Sequence, residues 1–153
     1  MADQCIVDVC RTAWDGSFTD HVLNKNNCSG FVKAVAAALN IPIPNAQADG
    51  IADHLSRNWT QLNSGAEAAL KAGQGYLVIA CLKGSEHNPV RANGHVAIVV
   101  TGGLYRGKYP RCWGGSLGSA QSNGSLSTGE VWNSRDRDNV RYYAYSIAVC
   151  SAA

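Results

Sequence analysis

Two residues in this chain have the type and setting that nucleophilic acyl chemistry requires. The first is Cys28, which stands where the polar run Asn24-Lys25-Asn26-Asn27 gives way to Ser29-Gly30-Phe31-Val32-Lys33-Ala34-Val35-Ala36-Ala37-Ala38-Leu39. The pattern predicts a loop turning into a helix, with Asn26 or Asn27 as N-cap. Cys28 then lies in the first turn, among backbone N–H groups that lack intrahelical acceptors, and the positive helix end favours a thiolate over a thiol. Phe31, Val32, Val35 and Leu39 follow at helical spacing, so Cys28 shares the apolar face. A buried structural cysteine fits that face equally well. A partner base has to decide between the two readings.

The second residue is His95. Of the four histidines, His21 and His87 fall in polar loops and read as surface residues. His54 sits beside Asp53 and Arg57 on what reads as a solvated helix face. His95 follows Gly94 at the mouth of an apolar strand and shares a sheet face with Ala97 and Val99 by the period of two. If the helix that starts at Cys28 packs on that face, imidazole and thiol come within hydrogen-bond reach. The plain alternative is a strand-end histidine satisfied by a backbone carbonyl. Two independent signals converging on one geometry favour the catalytic pairing.

The elements that must position this pair change character along the chain. A helix is expected from Asp3 to Trp14, then a polar loop from Asp15 to Asn27, then the Cys28 helix, which Ile41-Pro42-Ile43-Pro44 stops after Asn40. A further helix is expected from Ala48 to Trp59, and another after Ser64-Gly65-Ala66-Glu67, which has capping-box spacing and ends at Gly73. The period then switches. Tyr76 to Leu82 is a continuous apolar run, expected as a strand covered on both faces. Gly94 to Thr101 is a second strand, Leu104 to Trp113 a third, and Val140 to Ile147 the last. Gly114 to Gly129, rich in Gly and Ser, is expected as a long surface loop. The result is an α+β domain spanning residues 1–153, with N-terminal helices on an antiparallel sheet.

Composition narrows the function classes. A chain of 153 residues with net charge +2 offers no basic cluster for nucleic acid. No apolar run is long enough to span a membrane, and the opening Met1-Ala2-Asp3-Gln4 is not that of a signal peptide. The six cysteines, at 5, 10, 28, 81, 112 and 150, contain no C-x-x-C pair, so a zinc or thioredoxin-type site is not expected. Without a signal peptide they should be free thiols, unless the destination is oxidising.

The motif Asn27-Cys28-Ser29-Gly30-Phe31-Val32 followed by Gly94-His95-Val96-Ala97 resembles the NlpC-type papain-like cysteine peptidases that cut bacterial cell-wall peptides. Further stretches are similar to the first family of type VI secretion amidase effectors. They include Asp3-Gln4-Cys5-Ile6-Val7, Ser64-Gly65-Ala66-Glu67-Ala68-Ala69, Lys108-Tyr109-Pro110, Cys112-Trp113, Val131-Trp132-Asn133 and Asp136-Arg137-Asp138. The likeness runs in order through nearly the whole chain.

The resemblance implies a papain-like fold with nucleophile Cys28 and base His95. It implies hydrolysis of the bond between D-glutamate and meso-diaminopimelate in peptidoglycan stem peptides, in the periplasm of a competitor cell. It also implies a cognate immunity protein, export by the type VI apparatus, a monomer that needs no metal or cofactor, and a disulfide between Cys5 and Cys150. Two features depart from the family. Where its members carry a cysteine after the tryptophan of the Cys112-Trp113 pair, this chain has Gly114, which leaves Ser116 or a backbone carbonyl between Cys112 and Gly115 to orient His95. The segment 85–93 is longer than expected and runs directly into His95.

In the mechanism this implies, His95 takes the Cys28 proton and the thiolate attacks the glutamyl carbonyl. The Cys28 backbone N–H, with one other donor, holds the oxyanion. Arg91, Arg106 and Lys108 are candidates to meet substrate carboxylates, against the plain reading of ordinary surface charges. Three rivals stand beside this reading: an acyltransferase using the same pair, a disulfide-stapled wall-binding module without chemistry, and a redox sensor, for which no second cysteine lies at motif spacing.

Overall fold

Six antiparallel strands form one sheet with helices on both faces. The structure is a computed structural model and describes residues 2–16, 24–116 and 119–150. Helix α1 spans Ala2–Asp15, α2 Cys28–Ala38, α3 Ala48–Asn58, α4 Gly65–Gly73 and the single turn α5 Thr128–Val131. The strands are β1 (Thr60–Leu62), β2 (Tyr76–Leu82), β3 (His95–Val99), β4 (Arg111–Ser116), β5 (Ser119–Ser127) and β6 (Arg141–Ala148), in the order β1-β6-β2-β3-β4-β5. The expected α+β class, with helices first, is the one observed.

Local chemistry explains most boundaries. Helix α2 begins where Asn27 Oδ1 accepts the Gly30 N–H at 2.9 Å, and the chain leaves it through Asn40 at φ 58°, a left-handed conformation asparagine tolerates. Helix α4 begins at Ser64, whose Oγ accepts the Glu67 N–H at 3.1 Å while Glu67 Oε1 accepts the Asn63 N–H at 2.6 Å. The Ser-x-x-Glu spacing therefore works as a cap, although the return bond lands one residue before the capping position.

Strand β2 is buried on both faces, as its unbroken apolar run predicts. Leu77, Ile79 and Cys81 join Val96 and Ile98 beneath α1, α2 and α3, where Ile6, Cys10, Phe31, Val32, Val35, Ile51 and Leu55 fill the core. Val78, Ala80 and Leu82 join Ala97, Val99 and Cys112 on the other face, under Ala68 and Ala72 of α4 and Trp132.

Two expectations fail in the second half. Residues 104–109 do not lie in a strand; Tyr105 and Tyr109 bridge across a tight turn with Arg106 at φ 54° and Gly107 at φ 71°, and β4 starts only at Arg111. Most of the Gly- and Ser-rich segment is not a loop but β5, paired with β4. Its apolar alternation is absent because the backbone ladder and small side chains hold it: Ser122 Oγ donates to the Cys112 carbonyl at 2.7 Å and accepts the Leu126 N–H at 3.1 Å.

The termini are joined. Cys5 in α1 and Cys150 just after β6 form a disulfide, with Cα atoms 5.7 Å apart and 145 residues between them in sequence. Cys10, Cys28, Cys81 and Cys112 are free thiols.

Candidate active site

Cys28 opens α2 and His95 opens β3. Cys28 is the first residue of α2, and Asn27 Oδ1 also accepts a 3.0 Å hydrogen bond from Ser29 Oγ, which rigidifies the turn. The Cys28 sulfur lies against the backbone N–H groups of Val96, Ser29 and Cys28 itself. Val96 directly follows His95, so the thiol reaches the mouth of β3.

The faces are not those expected. Phe31, Val32 and Val35 of α2 pack with Val96 and Ile98, whereas Ala97 and Val99 lie on the opposite face. The imidazole goes with the latter, edge-on to Trp132 with ring centroids 5.0 Å apart. Thiol and imidazole therefore do not share one face of the sheet, and among the described residues no hydrogen bond joins them. Catalytic hydrogen bonds are commonly long before substrate binds and tighten in the complex.

The site holds its two groups neutral. Burial pushes the Cys28 thiol above its ordinary value, against the pull of the three N–H groups and the more distant Arg91 charge. Burial likewise lowers His95 to about 4, opposed by the Gln121 side chain and reinforced by the positive charge of Arg91 and by His87. The expectation that the helix end alone favours a thiolate is thus reversed by desolvation. Cys81 and Cys112 are pushed up to about 12 by burial and Cys10 is raised further, so Cys28 is the thiol closest to reactivity.

Gln121 is the polar group beside the imidazole that the sequence did not offer. It projects from β5 next to Ser122, which pairs with Gly114. Ser116 ends β4, half-buried, without a described contact to His95. Gly115 is where the chain before Cys28 rests: a Cβ there would run into the Lys25 carbonyl and lie 2.8 Å from the Asn27 nitrogen.

His87, expected on the surface, is buried. Its Nδ1 is 2.8 Å from the Lys83 carbonyl, which makes it the donor, and its Nε2 has no partner. Among the described residues, the Nε2 of His95 and the indole Nε1 of Trp132 are also buried without partners, so unsatisfied polar atoms gather around His95. His54 is on α3, with its ring 3.3 Å from the Asn58 amide, and His21 lies outside the described residues.

The three candidate cations separate. Arg91 is exposed on the segment leading to β3, and its charge is felt at both Cys28 and His95. Arg106 lies over the Tyr105 ring and Lys108 pairs with Asp138 at 3.1 Å, both in the turn before β4. A cavity of about 420 Å³ near that turn is lined by Ser64, Lys108, Arg137, Asp138 and Tyr142 and includes neither Cys28 nor His95. Chemistry points to the end of β3, where the perturbed groups are, and not to that cavity. Among the described residues, no group of three His, Cys, Asp or Glu side chains is placed to hold a metal ion, and no helix is long and apolar enough to cross a membrane.

No family model matches the chain. In sequence it is 54% identical over 151 residues to the peptidoglycan amidase Tse1 of Pseudomonas aeruginosa, an alignment covering 97% of this chain and 94% of that protein.

Proposed function

This chain belongs to the family of the peptidoglycan amidase Tse1, the type VI amidase effectors, and on that premise we propose that it is a cysteine amidase cutting the bond between D-glutamate and meso-diaminopimelate in stem peptides of a competitor's periplasmic wall. The observation that carries the cysteine mechanism is the thiol of Cys28 at a helix start, held against the Val96 N–H one residue from His95.

The neutral pair starts the reaction. His95, neutral at physiological pH, accepts the thiol proton as the sulfur attacks the glutamyl carbonyl. The N–H groups of Cys28 and Ser29 serve the oxyanion: Asn27 takes the Gly30 and Phe31 N–H groups, so its cap leaves the first two of the turn to the sulfur and the substrate. The imidazolium then protonates the departing amine, and water attacks the thioester to release the glutamyl product and regenerate the thiol. Gln121 steadies the imidazolium that forms in between.

Export by the type VI apparatus into a periplasm, and protection of the producer by an immunity protein, follow from the family. The disulfide suits an oxidising destination. Acyl transfer to an amine is the second outcome the same pair supports, and products separate the two. Purified peptidoglycan is digested with wild type, Cys28→Ala and His95→Ala, and the released muropeptides are weighed by mass spectrometry. Fragments ending in D-glutamate, lost in both variants, support the proposal. Fragments that persist in Cys28→Ala, or none from folded wild type, overturn it.

A further inference from the structure

The segment between β2 and β3 is a built structure around an unused charge. Lys83 N donates to the Glu86 carboxylate at 2.9 Å, Arg91 N donates to the Gly84 carbonyl at 3.0 Å, and Gly84 N donates to Asp49 Oδ1 of α3 at 3.0 Å. Asn88 N donates to buried Asp136 at 2.7 Å, which clamps the segment from the far side. His87 is the plug beneath it, 3% exposed. Small residues let this closure happen: a Cβ on Gly84 would lie 2.5 Å from the Arg91 carbonyl, and one on Gly94 would lie 2.6 Å from the Leu82 carbonyl.

Of the charged side chains in this segment, Lys83 is paired with Asp53 at 2.9 Å and Glu86 with Arg141. Arg91 has no hydrogen-bond or ion-pair partner for its guanidinium among the described residues. It is exposed, four residues before His95, on a backbone tied down at Gly84. A free planar cation on a fixed backbone four residues before His95 is suited to a carboxylate, which guanidinium meets with two parallel hydrogen bonds.

We propose that Arg91 is a specificity-determining residue of this site, receiving a free carboxylate that flanks the scissile bond of the stem peptide. The inference rests on the amidase reading above. The bond cut uses one of the two carboxyls of D-glutamate, so the other remains as a carboxylate on the acyl side. Diaminopimelate brings its own carboxylates on the amine side. The shared chemistry is a carboxylate within one residue of the bond. Arg106 and Lys108, occupied at a different turn, do not take this part.

The test uses synthetic stem peptides in three forms: unmodified, amidated at the free glutamate carboxyl, and amidated on diaminopimelate. Wild type, Arg91→Ala and Arg91→Lys are compared by kcat/KM. A lost charged hydrogen bond corresponds to about a 10- to 100-fold decrease for Arg91→Ala on the unmodified peptide. One amidated form should show a similar decrease with wild type and little further decrease with Arg91→Ala, and which form does so identifies the source of the carboxylate. Arg91→Lys should recover part of the activity. Alkylation of Cys28 by iodoacetamide, which needs no peptide, should slow by less than about fivefold in Arg91→Ala, as for an exposed charge. Equal losses by Arg91→Ala on all three peptides, or none on any, would overturn the inference while leaving the amidase reading intact. Wild type that cleaves none of the three would overturn both.

Discussion

Reducing the Cys5–Cys150 bridge should cost this protein a large part of its stability. The bridge joins residues 145 apart, so it closes nearly the whole chain. The chain-entropy relation for a loop of that length gives about 5 kcal/mol at 25 °C, an upper estimate because the unfolded chain is more compact than ideal. With a urea m-value of about 2 kcal/mol/M for a domain of this size, the midpoint should fall by about 2 M or somewhat more. Urea unfolding is followed by tryptophan fluorescence for wild type with and without dithiothreitol, and for the Cys5→Ser, Cys150→Ser double variant. Of the four remaining thiols, Cys10, Cys81 and Cys112 are buried and held protonated, and Cys28 is free in both the oxidised and the reduced protein, so none confuses the result. Equal midpoints for the oxidised and reduced protein would refute the reasoning. So would a reduced protein that differs from the serine variant by more than the measurement error.

Four further outcomes are expected. Because folded His95 titrates near 4 and the unfolded residue near 6.5, its neutral form stabilises the fold fully above pH 6.5, and that contribution, on the order of 3 kcal/mol, is lost as pH falls toward 4; urea midpoints at pH 7 and 4.5 should differ less in His95→Gln than in wild type. For the same reason the acidic limb of kcat/KM should lie well below 6.5, and a limb at the ordinary histidine value would contradict the burial argument. Gly115→Ala, whose Cβ meets the chain at Lys25 and Asn27, should destabilise by about 1–3 kcal/mol and slow Cys28 alkylation, because the α2 start must shift. Gln121→Leu should lower kcat more than it raises KM and move the acidic limb lower still; an unchanged profile would remove Gln121 from the site.

The parts of the fold governed by periodicity and caps were legible. The apolar run of β2, the Asn27 and Ser64 caps and the Pro-rich stop after α2 each state their structure in residue types. Strand β5 was not legible, because a strand dominated by Ser and other small or polar residues carries no apolar alternation and is held by its ladder with β4. The three-residue β1 is too short to show a period and exists through pairing with β6. At the candidate site, Cys28 and His95 stand out in the sequence since a cysteine at a helix start and a histidine at a strand mouth are locally unusual, and the structure places them at the first positions of α2 and β3. The face was misjudged, because the period of two groups His95 with Ala97 and Val99 but cannot say on which side of the sheet α2 packs. His87 reads as a loop residue, and only the closure of the 84–93 segment buries it. Gln121 depends on the β4–β5 register, whose shifts at Cys112 and Gly114 leave no mark in the sequence.

The most direct test of the central claim is to trap the thioester. Wild type is mixed with excess stem peptide, quenched in acid within milliseconds to seconds, and digested for mass mapping of the peptide that contains Cys28. The account predicts a glutamyl-bearing acyl adduct on Cys28 that disappears when turnover is complete and never forms in His95→Ala. Turnover of the peptide with Cys28 unmodified at every time point, and cleavage surviving in Cys28→Ala, would contradict it.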